Sequence, residues 1–192
     1  MAKRVNVASS GFIVRQAGID RYVGGHATTS TAASTAITGA TETVTNFSNA
    51  SYELPANALK VGTKVKIRAQ GLYTATTGTE NHIFAIRAGS TNLAVTGNID
   101  PADNDVWYVE FEMVCRAEGA SGTVVGAGAV RSGPRATASP ATHMLATGST
   151  STSTATLDTT AALTLAVAVD RQGTATDSDS MRCDWFSVEI VN

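Results

Sequence analysis

The chain has 192 residues, of which 14 are basic and 16 acidic; its net charge is -2 and only 16% of its residues are charged. That balance excludes the charge-rich, apolar-poor composition of a disordered chain, and it offers no global excess of Lys and Arg to draw the protein to nucleic acid or an anionic membrane. At this size about 70% of the unfolded chain's surface can be buried, enough for a core without metal or disulfide staples, and a composition rich in Thr, Ala, Ser and Gly points to strands rather than long helices.

Residues 1–36 read as an arm with a linker, and residues 37–192 as one β domain. No apolar block of signal-peptide length follows the opening Met-Ala-Lys-Arg-Val-Asn-Val. No stretch approaches the roughly 20 apolar residues of a membrane helix. The expectation is a chain made and kept in the cytoplasm until it is assembled. Within the arm, Phe12, Ile13, Val14, Ile19, Tyr22 and Val23 are too apolar for a solvated tail, and Lys3, Arg4, Arg15 and Arg21 outnumber the single acid Asp20. Gly24-Gly25-His26 and the Thr/Ser/Ala run over 27–36 lack periodicity and read as the linker. A basic, apolar arm on a flexible joint suits contact with a neighbour. The plainer reading is a first strand that pairs with its own domain.

From Ile37 onward the pattern has period two, the mark of half-buried strands. A first strand is predicted over about 41–48. Val61, Val65, Ile67, Ala69 and Tyr73 then share one parity against Lys64, Lys66, Arg68 and Gln70. Strands follow over about 82–88 and 91–96. Trp107, Val109, Phe111, Met113 and Cys115 alternate with Tyr108, Glu110, Glu112 and Arg116. After strands over about 122–131, 142–147 and 153–158, Leu163, Leu165, Val167 and Val169 alternate with Thr164, Ala166 and Ala168. In the last strand Met181, Cys183 and Trp185 share one parity, and Phe186, Val188 and Ile190 the other. Either a β-bulge near 185–186 or a passage from one sheet to another accounts for the break. Some eight to ten strands, with no helix and no long crossover between them, predict an all-β antiparallel sandwich or jelly roll with an extended N-terminal arm.

Residues that carry chemistry are scattered. His26, His82 and His143 fall in different elements without metal-ligand spacing and read as exposed or edge-strand residues. No GxSxG, HExxH or P-loop motif is present. Asp100, Asp103 and Asp105, with Asn98 and Asn104, form one acidic loop, and Asp177, Asp179 and Asp184 a second. These read as turn residues, with an oxygen-ligated Ca²⁺ as the other reading. Glu110 and Glu112 share a strand face, but nothing around them sets one carboxyl apart from the other as glycoside hydrolysis requires. Cys115 and Cys183 lie in apolar strand patterns and read as reduced core thiols. The expectation is a protein that is not an enzyme and has neither cofactor nor metal.

One stretch carries a resemblance. It runs Ser51-Tyr52-Glu53-Leu54-Pro55-Ala56-Asn57-Ala58-Leu59-Lys60-Val61-Gly62-Thr63-Lys64-Val65-Lys66-Ile67-Arg68-Ala69-Gln70-Gly71, and continues to His82-Ile83-Phe84-Ala85-Ile86-Arg87-Ala88-Gly89-Ser90-Thr91. About 45 residues here resemble a pattern of structural proteins of tailed bacteriophages: a Leu-Pro-x-x-x-Leu-x-x-Gly turn, an x-Ile-Arg-Ala-x-Gly strand and then an Ile-Arg-x-Gly strand. The resemblance implies a β-sandwich virion protein, most like capsid decoration (cement) or head-fibre proteins, often a trimer, and transfers no catalytic residue. The implied partners are the major capsid protein and the chain's own copies, with no nucleic acid and no membrane, and the implied location is the capsid surface. Phe12, Ile13, Val14, Arg15, Ile19, Arg21, Tyr22 and Val23 are the expected capsid or subunit contact. The alternatives are a tail, fibre or head-spike module touching host surface glycan, and a carbohydrate-binding module.

Overall fold

A computed structural model of the chain describes residues 5–8, 11–16, 19–23, 25–38, 41–74, 81–133, 141–148, 152–172 and 179–191, with side chains from residue 28 onward except at 41 and 42. In chain order the strands are β1 (Val5–Ala8), β2 (Gly11–Gln16), β3 (Ile19–Val23), β4 (Gly25–Ser30), β5 (Ile37–Thr38), β6 (Thr41–Leu54), β7 (Lys64–Thr74) and β8 (Asn81–Ala88). They continue as β9 (Thr91–Val95), β10 (Val106–Ala117), β11 (Gly122–Gly133), β12 (Ala141–Thr147), β13 (Ala155–Leu157), β14 (Leu163–Gln172) and β15 (Ser180–Val191). The described residues contain no helix.

β1, β2 and β3 form an antiparallel meander of their own. The other twelve strands form one sheet in the order β4-β15-β7-β10-β11-β12-β9-β8-β14-β6, with β13 beside β11 and β5 beside β15. Every pairing is antiparallel, as expected from the short connections. The count of eight to ten strands is therefore corrected to twelve in this sheet. Short strands without apolar alternation, such as β4 and β5, gave no signal of their own.

The alternation explains which face is inward. Val65, Ile67, Ala69 and Tyr73 of β7, and Trp107, Val109, Phe111, Met113 and Cys115 of β10, are all buried. Val61 is not: it sits in the turn before β7, 63% exposed. In β14 both parities are covered from Leu165 to Val169, because Arg87 reaches from β8 to the Val44 carbonyl and Asn46 of β6, on the far side of β14. The aromatic rings fill the interior between strands far apart in the sheet: Phe47 of β6 stacks on Trp107 of β10 at 5.1 Å, and Phe84 of β8 meets the same indole at 5.1 Å. Gly71 lies beneath that indole, where a Cβ would overlap both the Trp107 ring and the Arg182 carbonyl.

The sheet curls until its two ends nearly meet. On one side β15 pairs in turn with β4 and β5. On the other, β6 steps out of register with β14 between Asn46 and Ser51, and residues 47–50 turn toward β15. Residues 31–36 fill the seam. Ser34 N–H donates to the Cys183 carbonyl at 2.7 Å and its hydroxyl accepts from Cys183 N–H at 2.9 Å. Thr35 N–H donates to Ser48 Oγ, and Asn49 Nδ2 donates to the Ala32 and Cys183 carbonyls. The phase break in β15 is a bulge at Asp184, since pairing with β7 runs from Cys183–Gly71 directly to Trp185–Gln70. Trp185 consequently points outward with Gln70, and its indole N–H donates to Gln70 Oε1 at 3.0 Å.

Candidate interaction surfaces and buried polar groups

The eight arm residues named as a contact surface lie in β2 and β3. Phe12 pairs with Val23, Ile13 with Tyr22, Val14 with Arg21 and Arg15 with Asp20, while Ile19 pairs with Gln16. The structure brings their backbones together in one hairpin; their side chains lie outside the described residues. Gly25–Ser30, within the stretch read as linker, is strand β4 and pairs with β15 from Ile190 to Phe186.

The outer face of the large sheet divides in two. Across β15, β7 and β10 it is a ladder of opposite charges. Lys66 lies opposite both Glu189 and Glu112, Arg68 lies opposite Glu110, and Lys64 reaches Glu112 at 3.6 Å. Such exposed pairs each contribute little stability but leave no net charge on the face. Glu110 and Glu112 thus have cationic neighbours. Beside the ladder, Tyr108 and Trp185 lie 6.2 Å apart with their planes tilted by 54°. On β11, β12 and β9 the face turns apolar and small. Ala127 pairs with Ala146, which pairs with Val95, and Ala129 pairs with Met144. Met144 is 67% and Val95 45% exposed.

The histidines do not converge, and no group of three or more His, Cys, Asp or Glu residues among those described is placed to hold a metal. His82, expected at an exposed or edge position, is fully buried and is corrected to an inward position. It shares parity with Phe84 and Ile86, so it follows them into the core. Burial first, and then the neighbouring Arg171, lower its pKa to about 4, with Asp179 pulling the other way. His143 is half-buried on β12, and the side chain of His26 is outside the described residues.

Asp105 is a turn residue: its carboxylate accepts from Ala102 N–H at 2.9 Å, beside Asn104 with φ +62°. Asp100 and Asp103 are exposed, Asp179 is buried, and Asp177 lies outside the described residues. Cys115 and Cys183 are both free and buried. Burial, foremost, pushes the Cys183 thiol up to about 12. No described helix is long and apolar enough to cross a membrane.

Comparison with known proteins finds no matching family model, no matching curated protein and no matching solved structure.

Proposed function

We propose that this chain is a non-enzymatic structural component of a tailed-phage virion, acting as a capsid decoration protein that binds across major capsid subunits. The observation that carries the reading is the two-part layout. A short meander holding the apolar and basic arm residues is hydrogen-bonded to itself, while a separate twelve-stranded sheet builds the body. A single-layer ribbon of three short strands has a face that only a second surface can cover, and covering its apolar residues is favourable. The Leu54-Pro55 turn and the strands carrying Ile67-Arg68-Ala69 and Ile86-Arg87-Ala88 add the resemblance to virion β proteins. In this role the body is of sandwich or jelly-roll type, and Phe12, Ile13, Val14, Ile19, Tyr22 and Val23 supply apolar contact. Arg15 and Arg21 meet acidic capsid surface. Binding only the expanded shell stabilises that state by mass action. Copies of the chain group as trimers at the capsid surface.

The test is the stoichiometry of this chain relative to the major capsid protein in purified particles. One copy per capsid subunit, or one trimer per local threefold position, supports the reading, and absence from particles overturns it. A few to a few tens of copies supports the second reading, a tail or spike module touching glycan. The observation favouring that reading is the Tyr108–Trp185 pair on the outer face, whose rings offer apolar faces beside the Gln70 amide. Glycan binding lost in Trp185→Ala is its own check.

A further inference from the structure

One end of the large sheet holds a set of buried polar groups that the proposed function does not use. His82 on β8 and Arg171 on β14 are direct cross-strand partners, and both are fully buried. Such partners stand about 5 Å apart at Cα and share a face. Arg171 Nη1 donates to the Ile37 carbonyl of β5 at 3.2 Å and to the Asp179 carbonyl just before β15 at 3.0 Å. Its Nε and Nη2, and both ring nitrogens of His82, are closed from solvent and have no hydrogen-bond partner among the described residues. Tyr73 from β7 sets its ring against the imidazole at 4.8 Å. This is a tightly closed end that keeps a guanidinium beside a neutral imidazole.

We propose that this end is an acid-sensitive latch: a proton on His82 opens it and frees residues 31–38 from β15. The connection is mechanical. Arg171 is the side chain that joins β5 to the start of β15 through the Ile37 and Asp179 carbonyls. A second cation opposite it in the closed end is relieved only when one of the two reaches water, and moving Arg171 leaves β5 held to β15 by just the two ladder positions at Ile37 and Thr38, too short a pairing to persist alone. Once β5 leaves, the Ser34 bonds to Cys183 are the next hold on the segment leading to the arm.

The groups facing His82 among the described residues are Arg171 from β14, Tyr73 from β7 and Asp179 ahead of β15. Asp179 moderates the repulsion without cancelling it. Asp105, at the same end, has its carboxylate on the Ala102 N–H. Asp170 stands on the opposite parity of β14 and accepts from Gln172 Nε2. The sign follows from burial of the neutral ring. The open end binds a proton at an ordinary histidine pKa of 6.5, and the closed end only near 4. The closed form is therefore at full strength above pH 6.5, weakens as pH falls through 6.5 to 4, and loses nothing further from this group below 4.

Amide hydrogen exchange of the full chain, resolved by residue and corrected for intrinsic rates, tests the latch. Between pH 7 and pH 4.5 the opening constant for the His82, Ile99, Tyr73 and Ser34 amides should rise roughly fiftyfold. The Asn57, Gly62 and Gly89 amides, bonded at the opposite end, should change by less than about threefold. His82→Phe should abolish the difference between the ends. The His82 imidazole, followed by NMR in the unmodified protein, should titrate well below 6. Should His82→Phe fail to fold, these two measurements on the unmodified chain decide alone. An imidazole titrating between 6 and 7 with the amides still protected overturns the latch. So does simultaneous loosening of both ends, which is ordinary acid unfolding.

Discussion

Gly71 marks where the β7 backbone passes closest to the core indole. Gly71→Ala should destabilise the protein by about 2–3 kcal/mol, the scale of overpacking a closed core, because the added methyl meets the Arg182 carbonyl, a backbone atom that cannot swing aside. A lower denaturant midpoint at unchanged slope is the expected readout. Ser34 is the corresponding point at the seam. Ser34→Ala strands the Cys183 N–H and should cost about 1–3 kcal/mol. The same variant should speed alkylation of Cys183 and leave Cys115 unchanged, which mass spectrometry can resolve. In the parent protein both thiols should resist alkylation at pH 8, since burial raises the pKa of each. The buried pair was not read from the sequence, although His82 and Arg171 each continue an inward parity, with Phe84 and Ile86 in one strand and Val167 and Val169 in the other. Their polarity hid it, because a side chain that prefers water is read as outward unless the strand's phase is followed through it. Val61 was misplaced for the reverse reason, an apolar residue on the right parity that precedes the first ladder bond.

Among the elements, β4 and the segment after it behave differently from the arm. Removing residues 1–23 takes away only the three-stranded meander, so the body should keep its midpoint within a few degrees while losing incorporation into particles if the proposed arm contact holds. Removing residues 1–38 strips β4, β5 and the Ser34 bonds, and leaves the β15 edge bare. That variant should aggregate, as an unpaired long edge invites pairing with another chain; light scattering alongside the shorter deletion separates the two outcomes. The strands β7, β10 and β14 were legible because one face of each meets the core and the residues alternate. Gly25–Ser30 was not, since its Thr, Ser and Ala residues are small enough for either face and strand formation there is imposed by the edge of β15. The shift between Asn46 and Ser51 in β6 likewise has no local sequence signature: it follows from Phe47 reaching Trp107 across the interior.

For the molecule as a whole, the pairing is mostly between segments distant in sequence. β15 lies between β7 on one side and β4 with β5 on the other, and β6 completes the curl against it through residues 31–36. Long-range antiparallel topologies of this kind fold on the millisecond-to-second scale, because loop closure precedes the reward of contact. The sandwich expectation captured the strand-rich, antiparallel character; the joining of twelve strands along one continuous path depends on pairings that no local pattern specifies. In the acidic loop that the sequence reads as turn or cation site, Asp105 accepts the Ala102 N–H through one carboxylate oxygen, as a turn residue does.

The position of β15 has a consequence for synthesis. It follows all fourteen other strands in sequence, yet it sits inside the sheet, with partners drawn from both early and middle segments. A nascent chain stopped before residue 180 would hold β7 and residues 25–38 with nothing between them, and the Phe186, Val188 and Ile190 share of the core would be missing. Such a product should show no cooperative unfolding transition. Closure of the body therefore waits on the last strand to leave the ribosome, and interrupted chains should stay open to proteolysis instead of entering the folded pool.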